Sequence, residues 1–216
     1  YFRRTVRPEL VPIMLGRKVK MPQLVDGDGY LAIRLVFKNE KQKLALIHIP
    51  RHINRFLTLP DRGDQHCVMF IEDVIRLALP TIFRLFEAQT LEAFALKATR
   101  DAELDMDDDV ARSVMNRVER GLKKRKQGEY VRILHDRDMP EDMLTTLLKK
   151  MKMTSAASVI AGDRYHNRRD LMGFPDFGRS DLVYPAQPPL THPRLRSATS
   201  VMNAMTKGDL LVQCPY

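Results

Sequence analysis

A chain of 216 residues, 44% hydrophobic and 29% charged, can bury a substantial core without disulfide or metal staples, which excludes a disordered segment or a staple-dependent mini-domain. The formal net charge of +9 suits a polyanionic partner such as nucleic acid, anionic lipid or a phosphate polymer, although a basic protein that binds none of these has the same composition. No stretch approaches the ~20 apolar residues of a membrane span, and Tyr1-Phe2-Arg3-Arg4 is not followed by the apolar run of a signal peptide.

The first residue is Tyr1 rather than Met, as expected of a segment of a longer chain. The cysteines, Cys67 and Cys214, are far apart and form no CxxC pattern, so neither a disulfide framework nor a zinc site is expected and a reducing, cytoplasmic setting is the default.

Pro8, Pro12 and Pro22 make residues 1–28 an irregular lead-in. Tyr30 to Phe37 alternates, with Leu31, Ile33, Leu35 and Phe37 on one side and Arg34 on the other, which is a strand pattern. Asn39-Glu40-Lys41-Gln42 then leads into the apolar run Leu44 to Ile49, giving a hairpin. A further short strand is expected at Cys67 to Ile71. Ile71, Val74, Ile75, Ala78 and Ile82 recur at helical spacing, in a helix that Pro80 shortens or kinks.

Leu91 to Thr99 returns to strand character. A helix is expected from the acidic start Asp107 to Asp109, with Val110, Ala111, Val114, Val118 and Leu122 as its buried stripe. It ends at Lys123-Lys124-Arg125-Lys126 and Gly128. Glu129 to His135 alternates as a strand, and Pro140 opens a helix whose apolar face is Met143, Leu144, Leu147, Leu148 and Met151. Beyond Gly162 the chain is loop-rich, and Pro185, Pro188, Pro189 and Pro193 mark residues 176–216 as a connector. A short helix at Ser200 to Met205 and a strand at Asp209 to Gln213 close it. The fold class is α+β: a mixed sheet with helices packed on it, in one large domain with a Pro-rich C-terminal connector.

Catalytic constellations are scarce. His48, His52, His66, His135, His166 and His192 occur in no HExxH or HxH pattern, and no GxxxxGK[ST] phosphate loop is present, so each histidine reads as a surface or structural residue. The acidic run Asp101, Glu103, Asp105, Asp107, Asp108, Asp109 lacks the glycine and terminal glutamate of a calcium loop, and helix capping accounts for its last three members. No metal site is assigned.

The basic run Arg117, Arg120, Lys123 to Lys126 has no interleaved aromatics for stacking bases. Arg164, Arg168 and Arg169, grouped with Tyr165, His166, Asn167 and Asp170, form a polar cluster between apolar stretches, which suggests an ordered loop. These arginines are the candidate phosphate contacts, because the planar guanidinium fork suits phosphate oxygens. It suits carboxylates equally, so a structural bridge stays open.

Several phrases, in order, resemble one family. Tyr1-Phe2 with Val6, Pro8, Leu10 and Pro12 resembles the start of the polyphosphate kinase middle, or head, domain, and Met21-Pro22 stands where the family has Phe-Pro. Phe70-Ile71-Glu72-Asp73-Val74-Ile75 is similar to its "hLEDVI" helix start, and Thr99-Arg100-Asp101-Ala102-Glu103-Leu104-Asp105 matches its "TRDAELD" phrase. Arg164-Tyr165-His166-Asn167 with Asp170-Leu171-Met172 and Phe174-Pro175 resembles "RYHN..DLM.FP". The last residues, from Gly208 to Tyr216, resemble "GDILLHHPY", with Gln213-Cys214 replacing a histidine pair.

The resemblance implies a part of a bacterial, cytoplasmic enzyme that reversibly transfers the terminal phosphate of ATP to polyphosphate through a phosphohistidine, with Mg²⁺. In the family the phosphorylated histidine and most phosphate-binding arginines belong to domains outside this segment, so no catalytic or cofactor-binding residue carries over. The segment alone is expected to be inactive. The resemblance further implies a homo-oligomer with dimer contacts through this domain, polyphosphate and ATP as partners of the whole enzyme, and no nucleic-acid partner. The alternative is a free-standing basic module for nucleic acid or another polyanion.

Overall fold

The computed structural model describes residues 1–16, 18–100, 130–153, 158–185, 187–188 and 190–211. The chain forms two compact units, Tyr1–Pro175 and Asp176–Tyr216. The first carries a six-stranded sheet in the order β1-β3-β2-β6-β7-β8 and a separate two-stranded ribbon, β4-β5.

The alternation in Tyr30 to Phe37 yields β2 (Gly29–Val36), which pairs antiparallel with β3 (Gln42–His48) in the register Leu31↔Ile47 and Ile33↔Ala45. Glu40 makes the turn with φ 61°, a left-handed conformation supplied without glycine. The lead-in contains a two-residue strand, β1 (Ile13–Met14), on the outer edge of β3.

On the other side β2 pairs with β6 (Thr90–Arg100), and β6 with β7 (Tyr130–Asp136), both antiparallel. β7 runs parallel to β8 (Ser158–Gly162), with α2 (Glu141–Met151) between them in sequence. That crossover makes the sheet mixed, as the α+β reading expects.

Both faces of the sheet are covered. Leu31, Ile33, Leu35, Ala45 and Ile47 pack with Ile71, Val74, Ile75 and Leu79 of α1 (Ile71–Ile82) and with Val6 and Leu10 of the lead-in. Tyr30, Ala32, Leu46, Leu96, Ala98 and Ile133 pack with Met143, Leu147 and Met151 of α2. Leu144 and Leu148 flank that contact from partly buried positions. The period-two alternation of β2 thus feeds two cores, odd residues to α1 and even residues to α2. Pro80 lies inside α1 near its C-terminus, and the helix continues to Ile82 before Phe83.

Besides β1, two strands have no counterpart in the sequence reading. β4 (Phe56–Arg62) contains Pro60, and the register with β5 (Gln65–Phe70) shifts between Leu59 and Arg62, as suits a two-stranded ribbon where one missing N–H is tolerated. β8 is a five-residue strand without period-two contrast.

In the second unit Ser200 caps α4 (Val201–Met205) by accepting from the Asn203 N–H, and α3 (Pro193–Arg196) precedes it. The expected strand at Asp209 to Gln213 is corrected for its described part. Asp209 to Leu211 pair with no strand, and Arg194 takes the carbonyls of Gly208 and Asp209 that a ladder would have used. The expected helix after Asp107, the acidic run from Asp101 and the basic run from Arg117 to Lys126 lie outside the described residues. No described helix is long and apolar enough to cross a membrane.

Candidate functional site

Along the α1 face of the sheet the hydrophobic rows stop at one end, where Gly29, Lys97 and Leu134 lie side by side in register across β2, β6 and β7. Glycine at 29 stands where the preceding rows have leucine and isoleucine, and it lets the Ile49 side chain pack close to the sheet. A Cβ there would meet Ile49 Cδ1 at 3.2 Å. The segment 162–173 and the loop 49–56 wall this end, producing an open cleft of about 1150 Å³.

One arginine fixes the walls. Arg55 directs Nε (3.0 Å) and Nη2 (2.6 Å) to Glu72 Oε1 in the first turn of α1. It donates to the carbonyls of Asn167 (2.7 Å) and His166 (2.5 Å), and to Asp170 Oδ2 (2.9 Å). Its donors therefore hold an α-helix and a distant loop against one another, and a planar five-donor fork can do this where an ammonium cannot. Phe70 lies under the guanidinium at 5.3 Å and stacks on Tyr165 with centroids 4.2 Å apart.

A second anchor sits beside it. Asp73 accepts from Arg76 (2.9 Å), from Arg164 (3.2 Å) and from the Tyr165 hydroxyl. Burial alone would raise the Asp73 pKa, but the hydrogen bonds from Tyr165 and Arg76 and the charge of Arg76 outweigh it and hold the group below the usual carboxylate range. Burial, with Asp73 adjacent, pushes the Tyr165 hydroxyl pKa up. Both anchors tie the 164–170 segment to the start of α1, and the phrase from Phe70 to Asp73 supplies the acceptors.

Inside the cleft His166 is 7% exposed, and among the described residues neither ring nitrogen makes a hydrogen bond of good geometry. Burial pushes its pKa below the ordinary histidine value, against weaker pulls from the Asp163 backbone and the Asp136 carboxylate, and with Lys97 and Arg55 acting in the same sense as burial. Gly162 makes room for the ring: a Cβ there would stand 3.2 Å from His166 Nε2 and 2.8 Å from Leu134 Cδ1. Lys97 Nζ reaches Asn167 Oδ1 at 2.5 Å. Asn167 holds φ 57°, a conformation asparagine tolerates better than most residues. At the far rim buried Asp28 takes His48 Nε2 at 2.7 Å and pairs with Arg51.

The family profile for the polyphosphate kinase middle domain matches residues 1–174. The chain belongs to this family. Across its whole length it is similar to a protein named polyphosphate kinase from Vibrio vulnificus (35% identity, 31% of that protein covered) and to those from Yersinia pestis (32% identity, 32% covered) and Escherichia coli (30% identity, 32% covered). The chain thus spans about a third of the length of these relatives. A crystal structure of a polyphosphate kinase from Porphyromonas gingivalis shares the fold, with a TM-score of 0.68 at 23% identity over 98% of this chain and 30% of that one.

In this middle domain the candidate arginines divide. Arg164 is committed to Asp73 while 53% of its side chain remains exposed. Arg168 is 80% exposed and bonds Asp163 at 2.7 Å. Arg169 is exposed on the cleft lining and has no ion pair among the described residues. Sequence reasoning missed Arg55, Lys97 and Glu72, and it placed His166 in the polar cluster while giving it, like the other histidines, a surface or structural role. For Arg55 and Lys97 no local signal exists, since isolated cations in loop and strand fit no motif. The glutamate did have one, in the Phe70 to Ile75 phrase. Among the described residues no group of three or more His, Cys, Asp or Glu could hold a metal ion.

Proposed function

We propose that the chain is the non-catalytic middle domain of a polyphosphate kinase, and that the rim of its cleft lines the path of the polyphosphate chain. In the whole enzyme the terminal phosphate of ATP passes to polyphosphate, with the nucleotide, Mg²⁺ and the phosphorylated histidine held by residues outside this chain. The observation that carries the reading is the presentation of Arg168 and Arg169 on a segment that Arg55 fixes. Exposed cations on an anchored rim meet a flexible polyanion without first paying to order a loop. Arg164, half-committed to Asp73, contributes the weaker contact.

The test is binding of a fluorescent long-chain polyphosphate to the chain across a salt series. Affinity falls steeply with salt because exposed phosphate contacts are screened, and Arg168→Ala with Arg169→Ala together weaken binding roughly tenfold, with less than about 1 kcal/mol from each exposed contact. Absence of binding at low salt removes the path-lining role. Equal competition by a single-stranded oligonucleotide would instead favour a general polyanion module. The reading includes self-association through this domain, and a chain that sediments as a monomer at tens of micromolar would count against that part.

A further inference from the structure

We propose that the cleft floor is a binding site for a terminal phosphate group, with His166 and Lys97 as its deep donors and Arg169 at its mouth. The inference rests on the polyphosphate reading but goes past the rim to an end-on site.

A polar group removed from water without a partner costs free energy, and native proteins rarely keep one without a reason. Among the described residues neither His166 ring nitrogen makes a hydrogen bond of good geometry at 7% exposure, the Asp163 backbone acting on the ring only weakly, and the residue lines the cleft rather than a closed void. Its position is enforced, because Gly162 is the residue that leaves room for it and the Arg55 bond to the His166 carbonyl pins the backbone beneath it. A neutral imidazole carries one N–H and so donates to an anionic oxygen. Binding of a dianion would favour the imidazolium, which donates from both nitrogens.

The neighbouring cation is placed for the same ligand. Lys97 sits in the sheet row beside Gly29, and among the described residues its hydrogen bond is to the neutral Asn167 amide oxygen at 2.5 Å. Among the described residues no carboxylate forms an ion pair with it. Of the acidic groups near the floor, Asp170 and one oxygen of Glu72 are engaged by Arg55, Asp163 by Arg168, while Glu72 Oε2 stays unpaired among the described residues and the Asp136 carboxylate acts on the ring. A terminal phosphate is compact enough for this floor, while an internal phosphate of a chain, with bridging bonds on two sides, is not free to enter end-on. Polyphosphate ends and nucleoside triphosphates share that terminal group.

The experiment follows the His166 ring by ¹H–¹⁵N correlation NMR on the 216-residue chain while sodium tripolyphosphate, ATP or orthophosphate is added. Tripolyphosphate shifts the His166 ring signals and moves its titration midpoint upward, and His166→Phe weakens its binding at least tenfold while the backbone spectrum stays folded. A similar response to ATP means the terminal phosphate alone is read, and a response to ATP alone identifies a nucleotide as the source. Should His166→Phe bind tripolyphosphate like the unaltered chain, or should the ring be silent to all three probes, the site is overturned and His166 is a buried structural histidine. The rim reading fails separately, through loss of salt-sensitive binding of long-chain polyphosphate and its dependence on Arg168 and Arg169. Lys97→Gln supplies a second variant, with an expected several-fold loss of tripolyphosphate affinity.

Discussion

Arg55 is the residue on which the cleft depends most. Its side chain is 13% exposed and that of Glu72 5%, so the pair is desolvated and neither charge can be released to water when the other is removed. Breaking a buried pair from one side costs about 3–5 kcal/mol, more than the pair is worth against an apolar replacement. Arg55→Met is therefore expected to lower unfolding stability by about 3–5 kcal/mol in urea melts, and to release the 166–170 segment to proteolysis. Combining it with Glu72→Leu should recover part of the loss, because the stranded carboxylate is gone. A coupling of about 0.5–3 kcal/mol in this double-mutant cycle would match residues in one network. Strict additivity would show that Arg55 acts mainly through the two backbone carbonyls, leaving the glutamate incidental.

At the scale of elements, α1 and the 164–170 segment are joined through Asp73. The depressed pKa of this carboxyl means that the folded state binds its proton later than the unfolded chain does as pH falls. Its stabilisation is full above the unfolded value of about 3.9 and is lost as pH drops through the lower folded value. Tyr165→Phe removes one donor to the carboxylate. It should reduce stability at pH 7 by roughly 1–2 kcal/mol, given a partly exposed charged acceptor, and should shrink the acid-limb slope of a stability–pH profile below pH 4. An unchanged slope would place the acid sensitivity on other carboxylates.

The same elements show what was legible beforehand. The hairpin from Tyr30 to Ile49, the helix from Ile71 and the helix after Pro140 could be read because each has one buried face and a clean period. β4 could not, because Pro60 contradicts a strand and a ribbon strand outside the main sheet shows no buried alternation. β8 is short and its exposed Val159 and Ile160 give no contrast between faces. The arginines of the cleft rim were readable as a cluster in sequence. Its floor was not, because Lys97 and Asn167 are separated by 70 residues and Arg55 and Asn167 by 112, and only the packing of loops against the sheet and α1 brings them together.

For the molecule as a whole, the division at Pro175 separates a packed unit from a thinly packed one. The sheet, both helix-covered cores, the Arg55 and Asp73 anchors and every cleft residue lie within Tyr1–Pro175, and the family profile ends at residue 174. Among its described residues the second unit has two α-helices, of four and five residues, and it exposes Tyr184, Leu190 and Leu211 almost completely. Helices this short have little stability of their own without a packed face. Chain ending at Pro175 is thus expected to unfold cooperatively, with a Tm within about 4 °C of the full 216 residues, the shift that roughly 1 kcal/mol produces at this size. It should also keep the salt-sensitive polyphosphate binding and the His166 response, since Arg168, Arg169, Lys97 and His166 all remain. Loss of the cooperative transition on truncation would mean that residues 176–216 complete the core. A stable truncated chain that no longer binds would move the polyanion contacts onto that second unit and away from the cleft.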